Sequence, residues 1–95
     1  MQIVYTEHAL QDMLWFRQYY AKVFPEGRGT ARASLLRTEA LIVENPRIGH
    51  LTAQRAETRE FPILRTPFAM LYRVRAGRIE ILRLIDHRAQ SLTTP

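Results

Sequence analysis

The amino-acid sequence predicts one α+β domain with the element order β-α-α-β-β-β, in which a hairpin of two helices packs on a small antiparallel sheet. Three observations favour this fold. The chain has 95 residues, enough for a single domain over 1–95, and no linker interrupts it. Apolar residues recur at helical spacing in the N-terminal half. Three short apolar runs separated by turns follow in residues 59–88.

The chain opens with a β-prone run, Gln2–Tyr5, that predicts the first strand. Thr6 comes next, with Glu7 behind it, and is a candidate N-cap for the first helix. Apolar residues then recur every three or four positions and predict a broad buried helix face. The members of this face are Ala9, Met13, Phe16 and Tyr20, with Leu10 and Leu14 beside them.

A second helix is predicted to begin near Thr30, after Pro25, Gly27 and Gly29 have ended the first. It should stop at Asn45-Pro46, because the residue before a proline disfavours helix. The short connection predicts that the two helices form an antiparallel hairpin. The apolar positions of the second helix are Leu35, Leu36, Ile42 and Val43.

Three strands are predicted over residues 59–64, 68–75 and 78–85. Pro62 marks the first as an edge strand or a bulge, and Ala76-Gly77 forms a tight hairpin turn between the other two. Strand alternation places Arg73 with Leu71 and Arg75 on one side of the middle strand. The same rule places Arg83 with Ile81, so that Arg83 reaches the face left open by the helices.

Composition favours a macromolecular partner over a small-molecule substrate. The net charge is +5, and thirteen of the fourteen basic residues are arginine, Lys22 being the exception. This charge favours attraction to nucleic acid or to an acidic protein, although a compositional preference for arginine codons explains the bias equally well. The sequence has no cysteine, which excludes disulfides and zinc–thiolate sites. No apolar run is long enough to span a membrane, and a cytoplasmic location is expected. The residues 90–95 are polar and are predicted to form a loose tail.

Arginines on three separate predicted strands are candidates for one partner-binding patch, which suits an acidic protein surface or RNA. Aromatic residues crowd the first helix and cannot all face one core, so some are candidate anchors for a partner. The alternatives are solubilising surface arginines and an unusually aromatic core. The candidate partner-binding residues are Arg59, Arg65, Arg73, Arg83, His87, Arg88, Trp15 and Tyr19. His8 and His50 are isolated, so neither a metal site nor a cofactor is expected.

With these elements in order, the sequence resembles the RelE/ParE superfamily of toxins from bacterial toxin–antitoxin pairs. The resemblance rests on IVYTEHALQDM at 3–13, Pro46-x-x-Gly49 after the second helix, and FAMLYRVRAGRIEILRLIDHR at 68–88. It implies the toxin of a type II system, the kind associated with plasmid stabilisation. It also implies a cognate antitoxin with a DNA-binding N-terminal dimer and an acidic C-terminal segment that folds onto the toxin.

The superfamily has two branches, and this sequence departs from the RelE-like nucleases that cleave messenger RNA in the ribosome. Ala69 stands where those nucleases commonly carry a basic residue, and no tyrosine follows the last strand. The resemblance therefore favours the ParE-like branch, which inhibits DNA gyrase by protein–protein contact and needs no catalytic residue. The alternative is a metal-independent nuclease that uses His87, Arg88, Arg83 and Arg73. A further alternative is a nontoxic binding module that acts only in an antitoxin–repressor complex.

Overall fold

The computed structural model describes residues 1–88 and contains two helices and one five-stranded sheet. A π-helical segment, Tyr19–Val23, and a 3₁₀ turn, Pro25–Gly27, connect the helices. The predicted tail over 90–95 lies outside the described residues. The elements are β1 (Gln2–Tyr5), α1 (Glu7–Gln18), α2 (Arg28–Glu44), β2 (His50–Leu51), β3 (Arg59–Pro62), β4 (Phe68–Arg75) and β5 (Arg78–Asp86).

Local signals set the helix boundaries. Thr6 has extended backbone angles, and its side chain accepts a hydrogen bond from the Ala9 backbone N–H at 3.2 Å, which confirms it as the N-cap of α1. Helix α2 begins at Arg28, two residues before the predicted start at Thr30, and ends immediately before Asn45-Pro46 as predicted.

The sheet is mixed, with the strand order β1-β5-β4-β3-β2. Strands β3, β4 and β5 pair antiparallel with one another, as predicted. The short strand β2 was not predicted and pairs antiparallel with β3, and β1 joins β5 in parallel, which corrects the prediction of a wholly antiparallel sheet. The two helices provide the long connection that a parallel pairing requires. Tyr5 at the end of β1 donates a hydrogen bond to Glu39 of α2 at 2.5 Å, so the first strand is held by a helix as well as by the sheet.

A β-bulge in β5 corrects the predicted alternation. Tyr72 pairs with Ile81 and Leu71 pairs with Arg83, so Leu82 is an extra residue in β5. Because the bulge shifts the alternation by one position, Ile81 and Arg83 lie on opposite faces of the sheet. Ile81 is fully buried, whereas Arg83 lies on the face away from the core, where it was predicted.

The core lies between the helices and one face of the sheet, which carries Phe68, Met70, Tyr72, Ile79 and Ile81. The helices bury a narrower face than predicted, since several expected core residues are exposed and small polar ones are buried. The exposed residues are Leu10, Leu14, Leu36 and Val43, and the buried residues of α2 are Ala31, Ser34, Thr38 and Ile42.

Thr38 is tolerated in this core because its side-chain oxygen accepts a hydrogen bond from the Leu64 backbone N–H at 3.4 Å. A polar residue therefore occupies a position where the helical pattern alone would place an aliphatic one.

The buried hydroxyl of Tyr72 fixes the loop after α2. It donates to the Pro46 carbonyl at 2.8 Å and accepts from the Gly49 backbone N–H at 2.9 Å. Burial raises the pKa of the Tyr72 hydroxyl, which favours the protonated form that donates. A Cβ at Gly49 would lie 2.9 Å from both the Glu60 carbonyl and the Tyr72 ring, so this position needs glycine.

Candidate partner-binding surface

Helix α1 covers the edge of β5 at the point where β1 ends. The Thr6 backbone N–H donates to the Ile81 carbonyl at 3.0 Å, which continues the backbone hydrogen bonding of β1 with β5 by one residue. One turn further on, the Asp12 carboxylate accepts from the Leu84 backbone N–H at 2.9 Å and from the Arg83 guanidinium at 2.7 Å and 3.2 Å. The hydrogen bonds from the Arg83 guanidinium to Asp12 raise the pKa of Arg83 above its ordinary value. Asp12 thus replaces a neighbouring strand and holds Arg83 at the same time.

Asp12→Ala is expected to lower the free energy of unfolding by about 2 kcal/mol, because Leu84 N–H and Arg83 lose their acceptor together. Arg83→Ala should cost less than about 1 kcal/mol, since this ion pair is partly exposed and the Leu84 bond survives. Urea unfolding followed by circular dichroism measures both. Equal losses of unfolding free energy in the two variants would show that the hydrogen bond from the Leu84 N–H to Asp12 contributes nothing to stability.

Two of the predicted aromatic anchors continue this α1–β5 contact. The indole N–H of Trp15, which is 45% exposed, donates to the Asp86 carboxylate at 3.3 Å. The Arg88 guanidinium carbon lies 4.1 Å from the centre of the Tyr19 ring, and an N–H of the same guanidinium donates to the Tyr19 hydroxyl at 2.6 Å. Arg88 also pairs with Asp86 at 3.2 Å. Four of the predicted residues, Trp15, Tyr19, Arg83 and Arg88, therefore lie along one border of the molecule.

Arg73 lies on the outer face of the sheet, the face away from the helices. It pairs with Glu80 at 2.8 Å, and Arg78 pairs with the other oxygen of the same carboxylate at 3.1 Å. Hydrogen bonds from Arg73 first, and from Arg78 second, hold the pKa of Glu80 below its ordinary value. Glu80 is therefore a permanent anion between two cations at neutral pH.

The lowered pKa of Glu80 predicts a specific loss of stability in acid. Because its folded-state pKa is depressed, its contribution is complete above the ordinary value of 4.5 and is lost as pH falls through the lower folded-state pKa. The free energy of unfolding, measured by urea titration at successive pH values, should fall over this window. Glu80→Gln should flatten that part of the profile, and an unchanged slope would contradict the assignment to Glu80.

Arg59 and Arg65 lie apart from this border. Arg59 pairs with Tyr72 across the strands and so faces the helix side, where its guanidinium donates to the Gly49 carbonyl at 2.8 Å and the Arg47 carbonyl at 3.3 Å. Arg65 is exposed in the turn between β3 and β4, with a positive φ of 62°. The predicted arginines do not form one continuous patch, because Arg59 and Arg73 lie on opposite faces.

The four residues of the nuclease alternative each contact a carboxylate. His87 Nε2 lies 3.0 Å from Glu60 Oε2, and this imidazole is about half exposed. The other three contacts join Arg73 to Glu80, Arg83 to Asp12, and Arg88 to Asp86. The carboxylate beside each of these groups offsets positive charge there, so the four groups attract the phosphate of an RNA substrate less strongly than unpaired cations would.

A groove between the helices was not identified from the sequence. It encloses about 550 Å³, and its walls are apolar or basic. The spacing of Arg28 and Arg32, one helical turn apart, was the available signal, but Arg17 comes from the other helix and only the fold brings it alongside. The lining residues of this helix groove are Met13, Phe16, Arg17, Tyr20, Ala21, Arg28, Ala31, Arg32, Leu35 and Leu36.

Two features are absent from residues 1–88. No three His, Cys, Asp or Glu side chains in this part of the chain are grouped so that they could hold a metal ion. No helix among the described residues has the length and hydropathy needed to cross a membrane.

Comparison with known proteins supports the fold. No protein-family model matches the chain, and no curated protein matches it in sequence. Among solved structures, the chain is similar to a chain of the chromosomal ParDE TA system from P. aeruginosa, with 24% identity and a TM-score of 0.71. The alignment covers 90% of this chain and 95% of that chain. The two chains share one fold over nearly their whole lengths, which confirms the predicted ParE-like fold class.

Proposed function

We propose that this chain is the toxin of a type II toxin–antitoxin pair of the ParE kind. The observation that carries the proposal is the fold shared with a chain of a ParDE toxin–antitoxin system, at a TM-score of 0.71 over almost all of both chains. The action proposed is inhibition of DNA gyrase by protein–protein contact in the cytoplasm, with no covalent chemistry by this chain.

The helix groove supports an antitoxin as partner. Among residues 1–88, its lining combines apolar side chains with three arginines, Arg17, Arg28 and Arg32, and includes no carboxylate. An acidic segment that is disordered alone could bury its apolar side chains there and pair its carboxylates with these guanidiniums. The charge complementarity fits the acidic C-terminal segment expected of a cognate antitoxin.

The surroundings of the candidate catalytic groups favour gyrase inhibition over RNA cleavage. Strand-end His87 contacts Glu60, and Arg73 and Arg83 contact Glu80 and Asp12. A cleavage site needs cations directed at the developing charge of the phosphorane. Here these groups are directed at carboxylates of the same chain.

Assays on the purified protein test the proposal. We expect inhibition of DNA supercoiling by gyrase, with accumulation of cleaved DNA, while translating ribosomes keep their messenger RNA intact. Codon-positioned cuts in messenger RNA that disappear in His87→Ala would replace the proposal with the nuclease alternative. Binding of an antitoxin with neither activity would replace it with the nontoxic repressor module.

A further inference from the structure

The tip of the β4–β5 hairpin carries an unusual pair of like charges. Ala76 and Gly77 form its two-residue turn, with φ angles of 54° and 73°. Arg75 and Arg78 flank this turn directly opposite each other. Residues opposed in this way have Cβ atoms about 5 Å apart, and like charges in such a pair destabilise the hairpin.

The next pair on the same face only partly offsets this repulsion. Arg73 and Glu80 are opposed two residues along the strands from Arg75 and Arg78, and they share the outer face because alternate strand residues share a face. Glu80 pairs with both Arg73 and Arg78. Arg75 is exposed and pairs with no carboxylate among residues 1–88. Three guanidiniums and one carboxylate therefore leave an excess of two positive charges at the tip.

The neighbouring strand adds no anionic group to this surface. In β1, Gln2 is opposite Arg78 and Val4 is opposite Glu80. Strand β3 pairs with β4 only as far as Tyr72, so the tip projects past it. The resulting surface, which we call the arginine tip, comprises Arg73, Arg75, Arg78 and Glu80.

The chemistry of the arginine tip favours nucleic acid over an acidic protein. Hot spots of protein interfaces combine buried Trp, Tyr and Arg side chains in well-packed pockets, and the arginine tip presents no aromatic side chain and no pocket around its guanidiniums. Phosphate backbones are bound through charge and bidentate guanidinium contacts alone. Duplex DNA has the charge density for this, with one phosphate charge per about 1.7 Å of its axis.

We infer that the arginine tip binds the phosphate backbone of duplex DNA. The inference goes beyond the proposed function. Only the choice of duplex DNA over RNA as the bound nucleic acid rests on the proposed function. For an inhibitor of gyrase, such contacts would attach the protein to the DNA that the enzyme holds as well as to the enzyme.

Fluorescence anisotropy with a short labelled DNA duplex and no gyrase tests the inference. The Arg75→Gln/Arg78→Gln double variant should raise the dissociation constant about tenfold at low salt. It should also reduce the slope of log affinity against log salt by about 1.8, since two phosphate contacts are lost. Arg75→Gln alone disturbs no ion pair within residues 1–88 and should reduce the slope by about 0.9.

The matched control is Arg28→Gln/Arg32→Gln, which removes the same charge from the helix groove and should leave DNA affinity and the salt slope unchanged. Equal losses in both double variants would overturn the inference, because net charge alone would then explain binding. Absence of duplex binding by the unmodified protein at low salt would also overturn it.

Two competitors distinguish other occupants of the arginine tip. The first competitor is an acidic peptide. If the peptide binds the unmodified protein but not the Arg75/Arg78 double variant, while the variant keeps its DNA affinity, the arginine tip would be assigned to a protein partner. A single-stranded RNA bound more tightly than the duplex would assign it to RNA. The binding assay omits gyrase, so absence of DNA binding would not contradict the proposed inhibition of gyrase. Conversely, absence of gyrase inhibition would not change the measured DNA affinity.

Discussion

Truncating Phe68 to alanine is expected to lower the free energy of unfolding by about 3–5 kcal/mol. Phe68 is 1% exposed at the start of β4, where its ring centre lies 5.0 Å from that of Phe16 and 5.9 Å from that of Tyr19. Both contacts have edge-to-face geometry, which adds to the benefit of burial. The substitution removes the ring that connects α1 to the sheet and leaves a cavity that a small domain cannot easily close.

Urea unfolding of Phe68→Ala, followed by far-ultraviolet circular dichroism, measures this loss. Phe24→Ala is the matched control, because it removes the same side chain from a position that is 45% exposed. We expect the control to lose less than about 1 kcal/mol. Similar losses at the two positions would contradict the assignment of Phe68 to the centre of the core. In thermal unfolding, each kcal/mol should appear as a shift of about 4–8 °C.

Replacing Tyr72 with phenylalanine is expected to cost about 2–4 kcal/mol, although it removes a single oxygen atom. The buried Gly49 N–H and the partly buried Pro46 carbonyl lose their partner together. Each buried group without a partner costs about 1–3 kcal/mol. The loop from Pro46 to Gly49 would then keep its hydrogen bonds from Arg59 to the Gly49 and Arg47 carbonyls and its local bonds to Asn45.

Amide hydrogen exchange at Gly49 gives a local measure of this change. We expect exchange at Gly49 to accelerate in Tyr72→Phe by more than the loss of global stability explains. Tyr19→Phe makes the same chemical change at the molecular border, where the hydroxyl accepts a hydrogen bond from exposed Arg88, and should cost less than about 1 kcal/mol. An unchanged Gly49 exchange rate in Tyr72→Phe would contradict the proposed role of the hydroxyl.

Much of the fold follows from short-range signals in the sequence. Thr6 before an apolar repeat, proline after Asn45 and the Ala76-Gly77 turn each impose a local backbone conformation, and each predicted boundary is found close to its expected place. Strand β4 has the predicted bounds because turns limit it on both sides. The bulge at Leu82 could not be predicted, since it exists only relative to the pairing partner of β5.

The candidate surface was predictable in composition but not in arrangement. Arg83 was correctly placed on the outer face, yet its partner Asp12 is 71 residues away in the sequence. The same limit applies to His87, whose contact with Glu60 spans 27 residues. Which cations are neutralised decides whether a surface repels or attracts phosphate, and that depends on tertiary pairings that periodicity does not contain.

The helix groove shows a related limit. Leu36 belongs to an apolar pattern that predicts burial, but it is 57% exposed at the wall of the groove. An apolar repeat indicates a helix side that is buried away from water. The residues that bury it can come from the same chain or from a partner. The exposure of Leu36 is consistent with the second possibility.

The parallel pairing of β1 with β5 constrains when the protein can mature during translation. Strand β1 is synthesised before all the other described strands, yet its sheet neighbour among the described residues is β5, the last of them. A nascent chain therefore carries an unpaired β1 until β5 has also been synthesised. Contacts between such distant residues also form slowly. A product truncated before β5 would lack this pairing, so it could not complete the sheet.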